Sequence, residues 1–132
     1  MMQFIETSAA PLPAGHYSQA VVVNGLVFVS GVLPLAPNTG CLIPQGIAAQ
    51  ATQLFENLSA VLRAAGSDLQ QLVSIQLFIP DIGSWESVNG IYQKILGAHK
   101  PARSIIPCGP LHYGVLIEAN AVAIVPAIEA SG

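Results

Sequence analysis

"LVSIQLFIPDIGSWESVNGIYQKILGAHKPARSII", residues 72–106, changes its hydrophobic period twice. Residues 72–79 are apolar but for Ser74 and Gln76 and stop at Pro80, the pattern of a strand. Trp85, Val88, Ile91, Tyr92 and Ile95 then recur at helical spacing. Ser84 stands at the cap position. The partner of a capping box is missing, because Ser87 lies three residues on, but Glu86 still favours the positive end of the helix dipole. Gly97 ends the helix, and residues 102–106 return to a strand pattern. Where two such strands run parallel, the crossover between them should be right-handed.

The flanks extend this unit. "AVVVNGLVFVSG", residues 20–31, is two β-branched runs joined at Asn24-Gly25. Asn-Gly accepts the positive φ angles of a type I′ turn, so the runs should pair as a hairpin. Beyond a loop over 34–46, Ile47, Ala51, Leu54, Phe55, Leu58 and Leu62 define a helix face, with Gln50, Gln53, Glu56, Asn57 and Arg63 assigned to the polar side. Gly66 is placed just past its end, and Ser67 or Asp68 at the start of a short turn. A long last strand is expected over 115–125, with room for a short first one at 3–6. The order ββ–α–β–α–β–β gives a single α+β domain over 1–132: one mixed sheet with two helices on one face. No helix remains to cover the other face.

Composition agrees with a covered sheet. The chain is 52% hydrophobic and 8% charged, with a mean hydropathy of +0.60. A membrane span needs about 18 consecutive apolar residues, and polar residues such as Asn24, Ser30, Glu118 and Asn120 break the longest runs. Burial between subunits is the preferred explanation. A formal net charge of −3, with no basic stripe, disfavours nucleic acid. Cys41 and Cys108 make neither a disulfide framework nor a metal spacing, and Cys108 reads as a small core residue. No basic segment followed by an apolar one opens the chain, so a reduced, cytoplasmic protein is expected.

Few residues could carry chemistry. Arg103 opens an apolar strand. It must pair with a carboxylate, reach solvent along its stem, or hold an anionic ligand as a fork. Glu118 and Asn120, two apart on the last strand, share a sheet face. Glu118 is either a salt-bridge partner of Arg103 or of a second subunit, or part of a site. Asn120 is either a bonded strand amide or a holder of substrate or water that cannot act as a base near neutral pH. His16, His99 and His112 have no partners at metal-ligand spacing, and no phosphate loop or nucleophile elbow appears. Neither metal nor cofactor is expected.

Taken together, "GHYSQAV", "VFVSGVLPLAPNTG", "QATQLFENLSAVLRAAG", "VNGIYQKIL", "PARS" and "IEANAVA" resemble the YjgF/Rid family of reactive-intermediate deaminases in order and spacing. The resemblance implies a chorismate-mutase-like α+β fold and a homotrimer with sites in the clefts between subunits. It implies that Arg103 binds the carboxylate of a small imino or keto acid, and that Tyr17, Ser30, Asn89 and the backbone N–H of Ile105 line the pocket. Many members have cysteine where Ile105 stands. Typical members read "IEIEA" on the last strand, and the resemblance gives the second glutamate the task of activating water. Here Glu118 matches the first and Asn120 replaces the second.

The function expected from these residues is hydrolysis of a short-lived enamine or imine acid to a keto acid and ammonia. Arg103 would clamp the carboxylate, Tyr17 orient the substrate and Asn120 position water, with Glu118 or His112 from a neighbouring chain as other candidates for the base. A trimer that binds small carboxylates without turning them over is the alternative, as is a deaminase of an aminomuconate-like intermediate. Cleavage of RNA, an activity attached to some members, fits the acidic composition least.

Overall fold

In a computed structural model, residues 1–127 are described; residues 128–132 of the expected domain lie outside them. The chain runs β1 (Gln3–Ile5), β2 (Ala20–Val23), β3 (Leu26–Val32), α1 (Ile47–Ala64), β4 (Leu72–Ile79), α2 (Trp85–Leu96), β5 (Ala102–Pro107) and β6 (Glu118–Ile124). One sheet holds all six strands in the order β1-β2-β3-β6-β4-β5. Only β4 and β5 pair in parallel; the other neighbours are antiparallel, so the sheet is mixed as expected. Asn24 and Gly25 take φ of 51° and 75°, as a type I′ turn requires.

Helix α1 ends in a Schellman motif. The Gly66 N–H donates to Arg63 O and the Ser67 N–H to Leu62 O, with Gly66 at φ 84°. The start of α2 departs from expectation. Ser84 makes no side-chain cap; a 3-10 turn over Ile82–Ser84 precedes the helix, and the Asp81 carboxylate accepts from the Gly83 N–H at 2.9 Å. The first cap therefore sits three residues earlier, at the Pro80-Asp81 corner.

Both helices pack on the face formed by Val27, Val29, Ile75, Leu77, Ala119, Ala121 and Ala123. Two residues of α1 assigned to its polar side are buried instead, against loop backbone: Gln50 is 5% exposed and Asn57 1%. Each is fully employed. Asn57 Nδ2 donates to Leu33 O and Leu35 O at 2.9 and 2.8 Å, while its Oδ1 accepts from Gln53. Gln50 Oε1 accepts from the Leu116 N–H at 2.7 Å. The spacing 50-54-57-61 already lay on the apolar stripe; the polar identity of two members concealed it.

The last strand is shorter than expected and starts at Glu118. Phe78 is paired with Glu118, so continued pairing would bring Leu116 opposite Pro80, which has no N–H to give. Leu116 turns its own N–H to Gln50. Cys108 is half-buried at the end of β5 rather than in the core.

The sheet's second face carries no helix among the described residues. Phe4, Val21, Phe28 and Val122 are cross-strand partners in one row over it, with Phe4 66% and Phe28 45% exposed.

Candidate functional site

Arg103 and Glu118 do not form an ion pair. Arg103 is opposite Ile75 on the helix side of the sheet, whereas Glu118 is opposite Phe78, three residues on, and so on the other side. The guanidinium instead meets α2. Its Nη1 donates to Asn89 Oδ1 at 2.8 Å, and its Cζ lies 4.7 Å from the Tyr92 ring centre and 5.6 Å from that of Trp85. Cation–π contact and a neutral amide hold it in place without cancelling its charge. Burial raises the Tyr92 pKa above its ordinary value, with the Arg103 charge pulling the other way. A cavity of about 420 Å³, lined by Asn89, Tyr92, His99, Lys100 and Arg103 among others, opens beside this group.

Ile105 lies two residues on, partly buried against the core. The Cys108 N–H donates to Ile79 O at 3.0 Å. By the alternation of a parallel ladder, Ser104 and Ile106 then bond inward to β4, and Arg103 and Ile105 present their backbone groups at the free edge. The Ile105 N–H expected to meet a ligand is on that edge.

A second group forms on the far side of β3. Tyr17, Ser30, Gly31, His112 and Glu118 line one cleft of about 450 Å³. The sequence brings them there through a bulge: Val29 pairs with Ala121 and Val32 with Ala119, so β3 spends an extra residue at Ser30-Gly31. The bulge lays Gly31 against Glu118; a Cβ on Gly31 would stand 3.0 Å from Oε2. Ser30 Oγ donates to Ser18 O at 2.6 Å, which ties down the loop bearing Tyr17 and leaves the hydroxyl only lone pairs to offer a ligand. Buried Gln19 braces the same loop, accepting from the Thr7 N–H and donating to Pro11 O. Neither Gln19 nor Asn57 stood out in the sequence, although each fixes a segment that walls this cleft or its neighbour.

Burial raises the Glu118 pKa, and the nearby charge of His112 lowers it in part. Burial is the larger cause, so the carboxyl holds its proton to a higher pH than usual. Asn120 shares the open sheet face with Glu118, opposite Gln76, but is not among the residues lining the cleft. Cleft and Arg103 cavity share no lining residue. The structure thus joins Tyr17, Ser30 and Glu118, joins Arg103 and Asn89, and leaves Asn120 with neither.

Residues 7–125 match the family model described as endoribonuclease L-PSP. The chain is 38% identical to the rat 2-iminobutanoate/2-iminopropanoate deaminase over 120 residues, 91% of this chain and 88% of that one. It superposes on RidA from the Antarctic bacterium Psychrobacter with a TM-score of 0.89 at 34% identity, covering 92% of this chain and 98% of that one. The structure of E. coli TdcF with bound serine matches with a TM-score of 0.88 at 32% identity, again covering 92% and 98%.

Proposed function

Since the chain belongs to the YjgF/Rid family, we propose that it hydrolyses small 2-imino (enamine) acids to 2-keto acids and ammonia, in clefts completed between the copies of a homotrimer. One observation carries this: a guanidinium with a neutral hydrogen-bond partner on one edge, and a carboxylate of raised pKa in a cleft on the other face, in cavities that share no residue. Each is half of a site for a substrate with an anionic end and an electrophilic carbon. A second copy docked on the apolar sheet face would bring unlike halves together.

Arg103, held flat by Asn89 and Tyr92, binds the substrate carboxylate as a fork, with the Ile105 N–H beside it. Tyr17 orients the reacting carbon. Glu118, rather than Asn120, takes the proton of the attacking water. It is the acidic residue in the cleft, and burial shifts its pKa toward the working range of a general base. A coupled assay with freshly generated 2-iminopropanoate tests this. Glu118→Gln should lose about 10²–10⁴-fold in rate, whereas Asn120→Glu should change little. A large gain in Asn120→Glu would return the base to position 120.

A second reading, binding of small carboxylates without turnover, is favoured by the serine in the TdcF relative. Under it, millimolar pyruvate or 2-ketobutyrate raises the melting temperature of the wild type and not of Arg103→Ala, while no imine is hydrolysed faster than in buffer.

A further inference from the structure

We infer that His112 is a second proton-transferring residue of the site: Glu118 takes a proton from water, and His112 delivers one to the departing nitrogen. This rests on the imine hydrolysis proposed above.

The two side chains line the same cleft and come from the same copy, six residues apart. The turn between them is built by unusual backbone. Tyr113 adopts φ 60° and ψ 13°, and Gly114 follows at φ 69°. A left-handed conformation is rare for a bulky aromatic residue, and backbone strain of this kind gathers at functional sites. The Gly114 N–H donates to Leu111 O at 3.1 Å and closes the turn. The conformation sets the Tyr113 ring edge-on to His112, with centres 4.0 Å apart at 66°. His112, exposed to solvent, lines both the cleft and the adjoining cavity, and Tyr113 lines the latter. The titratable groups facing it are Glu118, Tyr17 and Tyr113; no lysine, arginine or second carboxylate lines either space. The Glu118 carboxyl feels the imidazolium charge.

The chemistry needs such a pair. Water adds to the carbon of the iminium, and its proton passes to the Glu118 carboxylate, leaving a neutral carbinolamine. The His112 imidazolium protonates the amino nitrogen. The C–N bond breaks with its electron pair going to nitrogen, and the C=O forms as the hydroxyl proton returns to His112. Ammonia departs with the proton that Glu118 held, as ammonium. Both residues end as they began.

The assay is the 2-iminopropanoate reaction, run on the assembled wild type, His112→Ala, His112→Asn and Glu118→Gln across pH. His112→Ala should lose about 10²-fold in kcat with little change in KM. Its profile should lack the limb that wild type shows on the basic side, and added imidazole should restore rate saturably. His112→Asn keeps a polar side chain in the turn and should be as slow as the alanine variant. If His112→Ala keeps its rate within about threefold and retains the basic limb, the inference is overturned, although a dead Glu118→Gln would leave the deaminase reading standing. Slow variants without imidazole rescue or a changed profile would also overturn it, as a merely structural role. An inactive wild type overturns the deaminase reading itself.

Discussion

Glu118 is the residue on which pH acts. Burial lifts its pKa in the folded chain, so the fold favours the protonated carboxyl. That contribution to stability is fully present below the ordinary carboxylate pKa and is lost as pH rises through the raised value. Urea melts across this window should show wild type losing stability with rising pH while Glu118→Gln stays flat. Activity has the opposite sense, because the base must be ionised. Its acidic limb should lie above the ordinary carboxylate range and vanish with the residual activity of Glu118→Gln. Gly31 is tied to the same oxygen. Gly31→Ala would place a methyl 3.0 Å from Oε2 and displace the carboxylate, so kcat should fall about tenfold or more with melting temperature nearly unchanged. Sequence alone marked Arg103, Tyr17, Ser30, Asn89 and Glu118. It could not divide them between two cavities, because the division depends on which sheet face each strand presents once Pro80 and the bulge at Ser30-Gly31 have set the register.

At the scale of elements, α1 does more than cover the sheet. Asn57 holds the carbonyls of Leu33 and Leu35, and both residues wall the cavity behind Tyr17. Asn57→Ala leaves one buried and one part-buried acceptor without donors and should cost about 2–4 kcal/mol, read as a lower urea midpoint at constant slope. Strand and helix existence was legible from period alone: β4 runs over the expected residues, and the Asn24-Gly25 hairpin and the Gly66 terminus stand where turn chemistry put them. What escaped were polar residues working inside the core and a cap supplied from before a 3-10 turn. Those depend on partners distant in sequence, such as Leu33 for Asn57, 24 residues away, and Leu116 for Gln50, 66 residues away.

For the whole molecule, the row Phe4, Val21, Phe28 and Val122 is the test of assembly. Phe28 is 45% exposed in one chain, so a charge there costs a folded monomer little but burdens a packed interface heavily. Phe28→Asp should yield folded monomers by light scattering, with a normal circular dichroism spectrum and no deaminase activity, since each half-site is then alone. A trimeric, active Phe28→Asp protein would refute this mode of assembly.

Strand β6 lies between β3 and β4 in the middle of the sheet, yet among the described residues it is the last strand in sequence. A nascent polypeptide, growing at about 5–20 residues per second, must carry both outer halves of its sheet with no central member to join them. Until β6 emerges it exposes the unpaired edges of β3 and β4 together, which invites chaperone holding. Because Glu118 begins that same strand, the carboxylate reaches its cleft only when the sheet closes. Biosynthesis therefore passes through no half-built species with a working site.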